Sequence, residues 1–268
     1  VRQESRPQTE DALFRGAPLA VLLGSGLDAA VEGLRTDAVL PFDKIEGLTA
    51  PTVPGHKGEL RRCVVGKRPC VFVCGRKHHY EGSRNDVAVL IRFLHSIGVR
   101  RLILTSAAGS LVKFISPGEL ILAVDVIDAQ FRRPVGARLR EAHDAREGTG
   151  RFALDPVLSR RIWAAAARAK VGLGRGPILT VAGPMYETPA EIRAFQETGA
   201  SVVTMSGAPE IEEAGDLGMS VAMISAVTNW ASGISGVRLR HEDVLEVGRA
   251  AARNLRQLIV EFAGTDQD

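Results

Sequence analysis

The residues able to do chemistry in this chain cluster where apolar runs give way to amphipathic ones. Gly75-Arg-Lys-His-His-Tyr-Glu-Gly82 follows the apolar run 70–74. A guanidinium fork, two imidazoles and a phenol at the carboxyl end of a strand suit an anion and a polar ligand. A solvated basic turn has the same composition. No further ligand set accompanies His78 and His79, so no metal is expected. Leu22-Leu-Gly-Ser-Gly-Leu27 also follows an apolar run. Its glycines let backbone N–H groups approach an anion, and a helix opening there adds a favourable dipole. Ser25 can donate a hydroxyl to the same anion, although a plain tight turn would read alike. A dinucleotide fingerprint needs a third glycine. Leu27, Asp28 and Ala29 stand there instead, which excludes an NAD-binding dehydrogenase.

Other junctions repeat this pattern. Leu104-Thr-Ser-Ala-Ala-Gly-Ser110 is small enough for a ligand to reach the backbone, or for a helix to pack on it. Ala182-Gly-Pro-Met-Tyr-Glu-Thr-Pro-Ala-Glu191 places Tyr186 and Glu187 just before a helix start. A flat ring beside an acceptor-only carboxylate could hold a planar heterocycle bearing N–H donors. Equally, Glu187 could serve only the positive helix end. In Val203-Thr-Met-Ser-Gly-Ala-Pro-Glu210, Ser206 is a helix N-cap, a phosphate ligand, or both. Asn229 adds an amide at the end of a further apolar run.

The elements that must position these residues are read from hydrophobic periodicity. Strands are expected at 19–24, 60–65, 70–74, 101–105, 120–126, 178–182, 201–205 and 221–227. Several are apolar throughout, as strands covered on both faces are. Helices are expected at 85–97 and about 242–262, and from Pro189, where Thr188 and Glu191 form a capping box. The polar residues 1–10 form a flexible N-terminal segment, and 128–150 reads as a long surface loop. Residues 11–268 form one α/β domain, with a mixed, largely parallel central sheet flanked by helices.

With 45% apolar and 24% charged residues, the chain is neither disordered nor membrane-embedded. No signal peptide or membrane-length apolar run appears, so a cytoplasmic protein is expected. Its net charge of +3 comes from basic residues scattered among acids. That pattern excludes a nucleic-acid patch and leaves a basic pocket for a small anion open. Cys63, Cys70 and Cys74 are odd in number and fit neither a disulfide framework nor a zinc site; reduced, partly buried thiols are expected.

Taken together and in order, these segments resemble the trimeric, low-molecular-mass purine nucleoside phosphorylases. The matching pieces are GSGL at 24–27, TVPGH at 52–56, GRxHxYEG at 75–82, LTxAAG at 104–109, AGPxYETPAEIR at 182–193, MSxxPE at 205–210, TN at 228–229 and HEDVL at 241–245. The long ETPAE and GRxHxYEG pieces are the specific ones. The resemblance implies cleavage of 6-oxopurine ribo- or deoxyribonucleosides by inorganic phosphate, a co-substrate, with no cofactor. It implies small-molecule substrates, no nucleic-acid or membrane partner, and a homotrimer.

The same resemblance assigns residues. Ser25, His56, Arg76, His78, Ala107 and Ser206 would hold phosphate. Tyr80, Met205 and His241 would line the ribose, with Phe152 reaching in from a neighbouring subunit. Tyr186, Glu187, Val203, Thr204 and Asn229 would bind the base, and Asn229, His78 and Glu187 would carry catalysis. Departures from the family pattern are Ser106 for its usual Asn, Ser110 and Thr204 for its usual glycines, Trp230 after Asn229, and a divergent segment before Phe152. Two other readings stay open: a methylthioadenosine phosphorylase, which prefers Asp at position 229 and Thr at 206, and a non-catalytic nucleoside-binding protein.

Overall fold

Each of the eight apolar runs forms a strand in the computed structural model, and a ninth strand joins them. The structure describes residues 10–51, 57–78, 81, 84–130, 154–235 and 241–265. In chain order the strands are β1 (Leu19–Leu23), β2 (Arg35–Pro41), β3 (Glu59–Val65), β4 (Arg68–Cys74), β5 (Arg101–Ser110), β6 (Leu120–Asp128), β7 (Leu173–Thr180), β8 (Val202–Thr204) and β9 (Ser220–Trp230). The helices are α1 (Arg84–Ser96), α2 (Pro156–Ala169), α3 (Pro189–Gln196), α4 (Ala208–Asp216) and α5 (His241–Thr265). Residues 1–9 of the expected N-terminal segment and 131–150 of the expected loop lie outside the described residues.

The strands form one mixed sheet in the order β2-β3-β4-β1-β5-β8-β7-β6-β9, and β9 pairs back onto β5. The strands β5-β8-β7-β6-β9 thus close into a barrel, with β1 to β4 extending from β5 as an open wing. β1 runs parallel to both β4 and β5, and β5 runs parallel to β9 from Arg101↔Ser220 to Ser110↔Trp230. β8 meets the far end of β5 antiparallel, at Gly109↔Val203. Alternation along the central strands sends side chains to two cores. Leu22, Leu102 and Leu104 pack with Leu90, Ile91 and Leu94 of α1 and Ile211 of α4. Val21, Leu23 and Ile103 face Leu158 and Ile162 of α2 and Leu255, Ile259 and Phe262 of α5. This is an α/β domain with helices on both faces of the sheet. Among the described residues, no helix is long and apolar enough to cross a membrane.

Several expectations change. β5 continues to Ser110 because Ser106, Ala107, Ala108 and Gly109 are small enough to sit inside the barrel wall, where the Ser106 and Ser225 hydroxyls pair at 2.9 Å. β2 has no apolar run to announce it, since it is a mostly exposed edge strand. α2 begins where Asp155 Oδ1 accepts from the N–H groups of Val157 (2.7 Å) and Leu158 (3.1 Å), with Pro156 in the first turn. The turn at Gly24 does not open an α-helix. A four-residue 3-10 segment, Asp28–Val31, follows it, too short for the expected helix dipole. Ser206 is not the N-cap of α4; Gly207 is, at φ 110°, and Glu210 Oε2 accepts its N–H at 3.0 Å.

The cysteines are free thiols within the second core. Burial pushes Cys70 up to about 11 and Cys74 up to about 12, so both stay protonated and unreactive. Phe262 anchors α5 in that core and is 1% exposed. Phe262→Ala should destabilise the fold by about 3–5 kcal/mol, read from the denaturant midpoint. A midpoint equal to the parent's would mean that α5 is not fixed by this contact.

Candidate active site

The strand ends surround a cavity of about 330 Å³. The turn after β1 contributes Gly24 and Ser25, the segment after β4 His78, and the far half of β5 Ala107, Ala108 and Gly109. Pro184, Tyr186 and Glu187 come from the segment after β7. Val203 and Thr204 of β8, with Met205 and Ser206 beyond it, and Thr228 and Asn229 of β9 complete the wall. Carboxyl ends of strands are where such sheets place ligands.

Close approach of backbones builds one part of this cavity. A Cβ on Gly24 would lie 2.7 Å from Ser106 Cα and 2.9 Å from the Thr105 carbonyl oxygen, so only glycine fits. The Gly24 N–H donates to Thr105 Oγ1 at 3.0 Å, and that hydroxyl donates to the Leu22 carbonyl at 2.9 Å. Beneath lies Arg76, 1% exposed. Its Nη2 donates to the Thr105 carbonyl, and its Nη1 donates to Glu210 Oε1 at 2.9 Å. The other oxygen of Glu210 holds Gly207, the residue after Ser206. A continuous chain of hydrogen bonds therefore ties together the loops bearing Ser25, Ala107 and Ser206.

The expected phosphate fork, Arg76, is thus not on the cavity wall. Its terminal nitrogens serve a carboxylate and a carbonyl underneath, so it fixes the loops around the cavity. Sequence reading missed the roles of Thr105 and Glu210. Glu210 stands three residues beyond Gly207, the spacing of a capping glutamate, and that was the available signal.

His78 is anchored twice by Glu81. Its N–H donates to Glu81 Oε1 at 2.7 Å, and its ring Nδ1 lies 3.1 Å from the same oxygen. Burial chiefly, and Arg76 after it, lower its pKa against the pull of Glu81. Imidazole is therefore neutral at pH 7, with Nδ1–H toward Glu81 and the lone pair on Nε2.

A second part of the wall suits a flat polar ring. Burial raises the Glu187 carboxyl above the usual range, with Glu191 adding to the rise and its own backbone N–H opposing it. Tyr186 stands 43% exposed beside it. The Asn229 amide is oriented from both ends: Oδ1 accepts from the Thr228 hydroxyl at 2.8 Å, and Nδ2 donates to the Trp230 carbonyl at 3.0 Å. Its second Nδ2 hydrogen can serve a ligand. Gly109 makes room for it, since a Cβ there would lie 3.1 Å from Nδ2. Thr204 donates its hydroxyl to the Ala107 carbonyl at 2.9 Å, which leaves lone pairs on that oxygen as acceptors. Ala107 beside Gly24, and Gly109 beside Asn229, are two residues apart on β5, about 7 Å of extended chain. The two parts of the wall are thereby separated by roughly the width of a pentose.

Of the expected site residues, Ser25, His78, Ala107, Tyr186, Glu187, Val203, Thr204, Met205, Ser206 and Asn229 line this one cavity. His56, Tyr80 and Phe152 lie outside the described residues, as does the side chain of His241, the first residue of α5. Pro184 and Thr228 were not expected as wall residues.

Residues 18–263 match the model of the phosphorylase superfamily. This chain belongs to that superfamily. Similar members include purine nucleoside phosphorylase of Mycobacterium leprae, 35% identical over 91% of this chain and 88% of that protein. Purine nucleoside phosphorylase 1 of Bacillus subtilis is 31% identical over 90% and 89% respectively. Among superfamily structures, Schistosoma mansoni purine nucleoside phosphorylase in complex with inosine superposes with a TM-score of 0.82 at 26% identity, covering 97% of this chain and 96% of that one. The same parasite's enzyme in complex with adenosine gives 0.80 at 27% identity, covering 94% and 92%.

Removing Glu210 would leave the Arg76 guanidinium buried without its counter-charge. Glu210→Ala should cost about 3–5 kcal/mol in denaturant unfolding, whereas the paired change Arg76→Met with Glu210→Leu should cost much less. Equal losses in both variants would refute the ion-pair account.

Proposed function

We propose that this protein is a homotrimeric purine nucleoside phosphorylase acting on 6-oxopurine nucleosides such as inosine and guanosine. The observation that carries the reading is that Ser25, His78, Ala107 and Ser206 line one cavity with Tyr186, Glu187 and Asn229. Superfamily membership and the relatives at 31–35% identity support it.

In this reading phosphate sits among Ser25, His78, the Ala107 backbone and Ser206, with His56 nearby. Neutral His78 accepts from a P–OH through Nε2. One phosphate oxygen attacks the anomeric carbon as the bond to the purine breaks, and the bonding pair leaves with the base. Asn229 donates its second Nδ2 hydrogen to the imidazole-ring nitrogen on which charge grows. Such a donor acts mainly in the transition state. Glu187 accepts from N1–H, which a 6-oxopurine has and adenine lacks, and Tyr186 covers the ring. Met205, Tyr80 and His241 border the ribose. The reaction needs no cofactor, and the enzyme works in the cytoplasm.

The test is to incubate the protein with inosine, guanosine, adenosine and methylthioadenosine, with and without phosphate, and to quantify free base. Phosphate-dependent release of hypoxanthine and guanine is expected. Base release from methylthioadenosine alone would favour the sister activity, and none from any substrate would leave a binding protein. Asn229→Ala should lower kcat for inosine roughly 100- to 1000-fold, about 2.7–4 kcal/mol, with Tm unchanged. A near-parental kcat would remove Asn229 from the mechanism.

The trimer completes the ribose side of the site, where a neighbouring subunit presents Phe152 in a head-to-tail ring. Light scattering should report a mass three times the 28.7 kDa of one chain. An active monomer would overturn the assembly.

A further inference from the structure

The turn that lines the catalytic cavity with Gly24 and Ser25 also faces a second, larger cavity through Gly26. This groove, about 1160 Å³, lies between the 3-10 turn at Asp28–Val31, the end of α2 and the middle of α5. The basic residues that look scattered in sequence gather here: Lys57, Arg168, Lys170, Arg249, Arg253 and Arg256. Three carboxylates share the groove with these six cations, an excess equal to the net charge of +3 for the whole chain.

The three carboxylates are too few to balance the six cations. Glu261 is committed to Arg168 at 2.7 Å. Burial raises the Asp28 carboxyl above its usual range, against the opposing effects of Lys57 and Arg61. Glu32 is the remaining acid. Among the described residues, Lys57, Lys170, Arg249, Arg253 and Arg256 make no ion pair with a carboxylate, and Glu246, three residues before Arg249, does not pair with it. Arg249, Arg253 and Arg256 fall at i, i+4 and i+7 on α5, one helix face, spanning about 10 Å. Like charges at this spacing destabilise a helix. They are held together over a cavity, with Lys57 and Lys170 on other segments around it.

We propose that the groove is a binding site for a linear triphosphate, as free tripolyphosphate or as the tail of a nucleoside triphosphate. Several anionic groups in a row meet the three arginines along α5, and guanidinium forks suit phosphoryl oxygens. Orthophosphate is too short to engage the row. A nucleic-acid backbone, continuing past the row, would meet Glu32 and Glu261 in the same groove. The site is separate from the catalytic cavity, yet it shares the glycine turn. Gly248 of α5 packs on that turn so closely that a Cβ would lie 3.4 Å from Gly26 Cα.

The experiment is calorimetric titration of the full chain with tripolyphosphate, and separately with ATP, in excess orthophosphate so that the catalytic cavity is filled. The comparison is Arg249→Gln with Arg253→Gln, both exposed residues, with folding checked by circular dichroism. One triphosphate per chain is expected, and affinity about ten-fold or more weaker in the double variant. No heat from either probe would overturn the proposal, as would equal affinity in parent and variant. A single-stranded oligonucleotide that binds as tightly as tripolyphosphate, and is lost in the same variant, would also overturn it. Inosine phosphorolysis by the double variant should match the parent. The titration reads binding alone, so it stands or falls independently of the proposed activity.

Discussion

A guanidinium taken almost wholly out of water, 2.9 Å from an equally buried carboxylate, is the constraint around which this site is arranged. Neither Arg76 nor Glu210 tolerates burial alone, because an uncompensated charge in the interior carries a penalty of several kcal/mol. Each therefore dictates where the other's loop must lie. Arg76 brings the segment after β4 to the carbonyl of Thr105, and Glu210 brings the start of α4 to the same place. The Thr105 hydroxyl extends the chain of bonds to the glycine turn after β1. The loops around the cavity are thereby fixed before any ligand arrives, the condition on which preorganised sites depend.

β5 carries out the second task, which is spacing. It is the strand shared between the open wing and the barrel, and its far half presents small residues to the cavity. Ala107 abuts the glycine turn and Gly109 abuts the Asn229 amide, so the pitch of an extended strand fixes how far apart these two parts of the cavity wall lie. Bulk at either position would close the cavity from the inside. The small run Ser106–Gly109 thus serves the site and also lets β5 bend into the barrel with β8 and β9.

Local patterns in the sequence carry most of this architecture. Apolar runs mark both sides of the central strands, and the capping box at Thr188 places α3 to the residue. Ten site residues suggested by family resemblance line one cavity, because they sit at the ends of strands or on the segments that follow them. What local patterns do not carry is pairing at a distance. Arg76 and Glu210 are 134 residues apart, and nothing near either one indicates that the fork meets a carboxylate below the cavity. β2 is hidden for a different reason: an exposed edge needs no apolar face, so Arg35–Pro41 lacks the alternation that reveals a strand. α2 was legible in Asp155 and Pro156, but those residues follow a long polar stretch that draws attention to a loop.

Closure of β9 onto β5 has a further effect. Among the described residues, β2 stands at the open end of the sheet with β3 as its one neighbour. That strand carries Arg35 paired with Asp37, Asp37 paired with Arg62, and a bulge between Thr36 and Ala38. Charge and irregularity on an edge deny a template to an incoming strand. Copies of this chain are therefore protected from zippering into continuous sheets, even when crowded together.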